Sequence, residues 1–161
     1  MKVTRKYIRN LVLEAMQDLI GEEPIDYRFF MKRIEDIASD TGTSDQIMVN
    51  NKVDFRFFYS NIVDMPDPLN DRTISYLLEI DGRLENGKPK VTYLLERSIE
   101  QKVRKERREE DLVYYDHDSF AKVEVKTQED ADTVYDLAYR MGNNDFEYFE
   151  NLYKTFKDDK K

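Results

Sequence analysis

The chain offers few side chains capable of covalent chemistry. It has no cysteine and one histidine, His117. That removes disulfides, thiolate metal sites and cysteine nucleophiles, and it disfavours His-based zinc sites and serine–histidine triads. Carboxylates and amines remain, with 34 Asp and Glu against 26 Lys and Arg in 161 residues and a net charge of −8. Three groupings stand out. Glu124-Val125-Lys126 follows closely on Asp116 and Asp118; the plain reading of Lys122, Glu124 and Lys126 is the wet face of an amphipathic strand. Lys102, Arg104, Lys105, Arg107 and Arg108 form a basic patch of the kind that touches phosphates, but Glu100, Glu106, Glu109 and Glu110 interleave with it and largely neutralise it. Phe29, Phe58 and Ile62 fall off the main apolar stripes of their segments. Exposed together they would mark a partner-binding surface; otherwise they belong to a core shared with the terminal helices.

The elements that must position these residues follow from apolar periodicity. Residues 4–20 carry Ile8, Leu11, Val12, Ala15 and Leu19 at helical spacing, with Thr4 as N-cap and Gly21 as stop. A second helix is expected from about Pro24, striped by Tyr27, Phe30, Met31, Ile34, Ile37 and Ala38 and closed near Gly42. Residues 40–51 read as a loop. The period then switches to two: Val53, Phe55, Phe57 and Tyr59 alternate with polar neighbours and Phe58. Asp64 to Asp71, with Pro66 and Pro68, reads as turn or loop. Asn86-Gly87 predicts a two-residue hairpin. Its register sets Glu85 against Lys88, Ile80 against Tyr93, Leu78 against Leu95 and Ile74 against Ile99, so the apolar faces of both strands coincide.

Residues 97–111 are almost all charged. The i,i+4 pairs Glu100–Arg104, Lys102–Glu106 and Lys105–Glu109 favour a projecting or surface helix, and a charged β-ribbon is the alternative. Residues 112–115 and 120–126 read as two strands joined by a turn at Asp116-His117-Asp118-Ser119. A helix capped by Thr127, with Asp130 three residues on, follows; Ala131, Val134, Ala138 and Met141 are its buried stripe. A last helix after Asn144 buries Phe146, Phe149, Leu152, Tyr153 and Phe156, and residues 157–161 are expected to fray.

Three segments resemble known families. Glu124-Val125-Lys126 on a strand, with acids upstream, is similar to the second strand of metal-dependent nucleases of the PD-(D/E)xK type. The resemblance implies that Asp116, Asp118 and Glu124 hold Mg²⁺ and that Glu124 and Lys126 serve catalysis, Lys126 orienting water or stabilising phosphoryl charge. The chain departs from that pattern, because its one Pro-Asp pair before a candidate strand, Pro66-Asp67, lies far upstream. The stretch from Phe120 to Leu137, FAKVEVKTQEDADTVYDL, resembles the third strand and second helix of an RNA-recognition motif, which stacks bases on sheet aromatics. Phe120 fits one aromatic position, Lys122 and Val125 stand at the other two, and no fourth strand follows. MKVTRKYIRNLVLEAM resembles the opening helix of marine phage proteins through Lys2, Val3, Thr4, Arg5, Ile8, Arg9 and Leu11, which implies a small phage-encoded protein. The acids could also mimic DNA phosphates, as in some phage-encoded inhibitors, but here they are mixed with lysines and arginines.

These readings converge on one α+β domain over 1–161. The expectation is an antiparallel sheet of about five strands, with N-terminal and C-terminal helix pairs packed on one face. Acidity disfavours nucleic acid and anionic membranes. No apolar run is long enough to span a bilayer, and no secretory signal is visible. The absence of cysteine fits a cytoplasmic setting. With no phosphate loop or nucleophile–base pair in view, the expected function is non-enzymatic: binding a protein partner or self-association, without a cofactor, extending to a phage structural or host-modulating role. The Mg²⁺-dependent nuclease is the alternative.

Overall fold

Asn86 and Gly87 hold φ of 54° and 75°, the left-handed values that a type I′ turn requires and that glycine adopts without cost. From this turn the long central hairpin unrolls in the expected register, with Ile80 opposite Tyr93, Leu78 opposite Leu95 and Ile74 opposite Ile99. The structure is a computed structural model that describes Ile8 and residues 25–44, 47–51, 55–103 and 112–160. Its strands are β1 (Ile47–Asn51), β2 (Arg56–Asp67), β3 (Arg72–Glu85), β4 (Lys88–Val103) and β5 (Leu112–Glu124); its helices are α1 (Tyr27–Asp40), α2 (Gln128–Gly142) and α3 (Phe146–Asp159). The sheet runs β1-β2-β3-β4-β5, antiparallel at every step. The α+β class and the antiparallel sheet are thus as expected. The first expected helix, residues 4–20, lies outside the described residues except for Ile8.

Each helix begins where a side chain takes up its unpaired N–H groups. The Asp26 carboxylate accepts from Arg28 N at 3.0 Å and Phe29 N at 3.3 Å, which starts α1 at Tyr27 rather than Pro24. Thr127 Oγ1 accepts from Asp130 N at 3.1 Å while the Asp130 carboxylate accepts from Thr127 N at 3.1 Å, a reciprocal capping box with Asp in the usual Glu position. Asp145 accepts from Tyr148 N at the start of α3. One core joins all three helices to a single face of the sheet: Phe30 and Ile34 of α1, Val134 and Met141 of α2 and Phe149 of α3 meet Phe57, Tyr59, Tyr76, Leu78, Ile80 and Val91. Each such side chain, once buried, contributes about 1.5–3 kcal/mol.

The strand boundaries depart from the sequence reading in four places. Residues 47–51, expected in a loop, form β1. Pro66 lies inside β2 rather than in a turn; the turn proper is a short 3₁₀ segment, Pro68–Asn70, followed by Asp71 at φ 47°. A proline fits there because β1 pairs β2 only over Arg56–Tyr59, so Pro66 sits on an edge where no ladder needs its N–H. The charged run is strand, not helix, as far as Val103, the rest of it lying outside the described residues. Ile99 pairs with both Ile74 and Asp116, and two ladder partners outweigh i,i+4 charge pairs worth about 0.3–0.5 kcal/mol each. Residues 116–119 do not turn: β5 runs through them unbroken, with an irregularity opposite Leu95/Glu96 that leaves Phe120 and Ala121 both buried. The five strands therefore include one not expected and merge two that were. At the C-terminus, α3 runs to Asp159. Among the described residues, no helix is long and apolar enough to cross a membrane.

Candidate functional site

Strand alternation gives the sheet a second face, and none of the described helices lies over it. Register places its rows. Phe58 is opposite Asp81, and Asp81 opposite Thr92. Ser60 is opposite Glu79, and Glu79 opposite Leu94. Ile62 is opposite Leu77, and Leu77 opposite Glu96. Ile62 and Leu77 face each other directly, and Leu94 lies on the diagonal from Leu77, a distance that large side chains span. Phe58 stands four residues from Ile62, about 13 Å along β2, with Ser60 between them. Ile62 is 48% exposed, and Phe58, Leu77 and Leu94 are half-buried. The result is an apolar strip of Ile62, Leu77 and Leu94, with Phe58 set apart from it by Ser60 and Glu79.

Carboxylates border that strip. Glu79 is held above the usual carboxylate range, first by burial and then by repulsion from Glu96 and Asp81. Glu96 is the anchored member: Ser119 Oγ donates to its Oε1 at 3.0 Å, and His117 Nε2 lies 2.8 Å from its Oε2. Serine and histidine each bond the carboxylate rather than one another, so they form no nucleophile–base pair. Lys122 is exposed opposite Leu94. The other cations of this face, Arg56, Arg83, Lys88 and Lys90, lie toward the hairpin end, where Arg83 is two residues from Asp81 on the same strand and Lys90 is 2.9 Å from Glu85.

Of the three expected partner residues, Phe58 and Ile62 share this face. Phe29, 59% exposed, stands on α1 in the helical layer on the opposite side of the sheet. Leu77 and Leu94 escape the sequence reading because it followed the other phase of the hairpin, although the Asn86-Gly87 register itself places them beside Ile62.

The residues of the nuclease resemblance do not converge. Asp118 lies opposite Arg97 on the helical side, where Tyr153 Oη donates to its Oδ2 at 2.8 Å and Lys157 Nζ is 2.7 Å from the same oxygen. Asp116 falls in the same phase, opposite Ile99. Glu124 lies opposite Thr92 on the other face, 3.5 Å from Lys126. Asp118 and Glu124 are thus separated by the sheet and by roughly 20 Å of strand. Among the described residues no three His, Asp or Glu side chains gather to hold a metal. The RNA-stacking position fares similarly, since Phe120 is 5% exposed and packs against Tyr153 and Phe156 of α3. Of the basic patch, Lys102 falls on the backbone of β4, and Arg104, Lys105, Arg107 and Arg108 lie outside the described residues. A cleft of about 170 Å³ at the β2–β3 turn is lined by Pro66, Asp67, Arg72 and Glu100, but Asp67 is already bonded to Asn70 and Arg72.

The role of Asp118 is to clamp α3 to β5. Lys157, and after it Tyr153, hold its carboxyl below the usual carboxylate range. A depressed folded-state pKa means that this stabilisation is present above the ordinary carboxylate range and is lost as pH falls through the folded value. Asp118→Asn is therefore expected to lower the thermal midpoint by a few degrees near neutrality. The gap from the parent chain should close as the pH is brought below the carboxylate range. A gap that stays constant down to strong acid would show that the clamp is steric rather than ionic.

The fold and its surface thus define an α+β protein with helices over one side of its sheet and an apolar, acid-bordered strip on the other. The chain matches no protein-family model and no curated protein sequence.

Proposed function

We propose that this chain is a non-enzymatic protein-binding module whose partner seats on the open face of the sheet. The carrying observation is the strip of Ile62, Leu77 and Leu94, half-exposed or half-buried with none of the described helices over it. A partner seated on this face would take that apolar surface out of water. The separation of Asp118 from Glu124 disfavours the nuclease alternative. A phage structural or host-modulating role extends the reading from the N-terminal resemblance.

The test uses the immobilised full chain with Leu94→Asp and Ile62→Asp on the face, and Phe29→Asp on the far side as control. All three are first checked for a parent-like unfolding transition. A protein from bacterial lysate retained by the parent chain and by Phe29→Asp, but released by both face variants, supports the reading. Retention indifferent to the face variants overturns it. So does Mg²⁺-dependent cleavage of DNA or RNA that Glu124→Ala abolishes.

A further inference from the structure

A partner that covers the apolar strip must also cover Glu79, since Glu79 is directly opposite Leu94 and two residues from Leu77 on the same strand. Resting on the open-face reading above, we infer that the segment seated there is a cationic, amphipathic stretch of another protein, its apolar side on Ile62, Leu77 and Leu94 and its Lys or Arg side chains on Glu79 and Asp81.

The argument is one of desolvation. Removing an ionised carboxylate from water without a partner costs far more than one apolar contact returns. Among the described residues neither Glu79 nor Asp81 forms an ion pair. Glu96, the neighbouring carboxylate, spends its two oxygens on Ser119 and His117. Burial and two like charges already strain the ionised form of Glu79, so an apolar or acidic cover would worsen that strain while an ammonium or guanidinium relieves it. A second copy of this chain, placed face to face about an axis that exchanges Leu77 with Leu94, sets Glu79 against its own equivalent. Nucleic acid and anionic lipid carry the wrong sign. A basic amphipathic protein segment supplies both the apolar side and the countercharge.

Three designed peptides probe the full chain by fluorescence anisotropy: an amphipathic Leu/Lys helix, its Leu/Glu counterpart and a shuffled Leu/Lys sequence. The Leu/Lys helix is expected to bind in preference to the other two. The Glu79→Gln/Asp81→Asn double variant should bind it about tenfold more weakly. Leu94→Asp should also weaken it, while Glu35→Gln/Glu147→Gln in the helical layer should leave affinity unchanged. Equal weakening by the helical-layer pair would reduce the effect to net charge and overturn the inference. If the Leu/Glu helix binds as well as Leu/Lys, and both are lost in Leu94→Asp, the charge inference fails while the open-face reading stands. Failure of all three peptides, in a chain whose face variants still release a lysate protein, likewise overturns the charge inference and spares the open face. Sedimentation showing a dimer that Leu94→Asp dissociates would make the occupant a second copy. A gain in peptide affinity on changing Arg5, Lys6 and Arg9 to Gln would make it the chain's own first residues. Either of these results overturns the inference.

Discussion

Replacing Tyr76 with alanine is expected to lower the unfolding free energy by about 3–5 kcal/mol. Tyr76 is fully buried at the point where β3 meets α3. Its ring centroid lies 5.3 Å from that of Phe146, 6.3 Å from those of Phe149 and Tyr153, and 6.4 Å from that of Phe120. Truncation removes the shared partner of four aromatic rings and opens a cavity that none of them can fill without leaving its own rotamer. The hydroxyl is a separate matter. Arg97 Nε donates to Tyr76 Oη at 3.2 Å, and the same guanidinium lies 4.7 Å above the Tyr153 ring. Tyr76→Phe should therefore cost only about 1 kcal/mol, because Arg97 keeps its aromatic seat and its access to water. Urea unfolding of both variants separates the two contributions. An alanine variant no less stable than the phenylalanine one would show that the cluster repacks. Tyr76 points away from the open face, so Tyr76→Phe should leave partner binding intact.

What could be read in advance follows from how locally each feature is encoded. The hairpin was legible because Asn86-Gly87 fixes its geometry within two residues and the apolar phase then agrees over the whole ladder. The three described helices were legible through their apolar stripes, and the Thr127–Asp130 reciprocity formed as expected, whereas the Asp26 and Asp145 caps were not read in advance. Strand β5 was not legible through residues 116–119. Asp-His-Asp-Ser has the composition of a turn, and what keeps it extended is distant: Tyr153, 35 positions from Asp118, and the backbone of β4. The run after Arg97 misled for a similar reason, since charges on both phases hide alternation while their spacing also suits a helix. For the site, Phe58 and Ile62 were singled out as off-stripe residues, but the strip to which Ile62 belongs depends on the pairing of β2 with β3 across a turn whose strand ends lay inside the expected loop. The acids around it were equally hidden. Glu79, Asp81 and Glu96 are three among many in sequence and become one cluster only in register.

The other large effect is expected at Gly142, where α2 passes the end of α1. In an isolated helix Gly→Ala gains about 1 kcal/mol. Here the substitution is expected to destabilise the protein by about 2 kcal/mol. A Cβ built on Gly142 overlaps Oγ1, Cβ and Cγ2 of Thr41, and Thr41 has little room to yield. It caps α1, with Oγ1 donating to Ile37 O at 2.8 Å and lying 3.0 Å from Thr43 Oγ1, while its N–H also reaches Ile37 O. Either those bonds break or the two helices move apart, and the second course opens the close contact between α1 and α2 above the sheet. Gly142→Val should cost more than Gly142→Ala. Combining Gly142→Ala with Thr41→Gly should cost less than the sum of the single changes, the coupling expected of residues in direct contact. Thermal unfolding of the four chains in that cycle decides the matter. Strict additivity, or a stabilised Gly142→Ala, would mean that the helix pair separates at no cost. The helical layer would then be a loosely seated cover, and the sheet alone would have to hold the open face in shape.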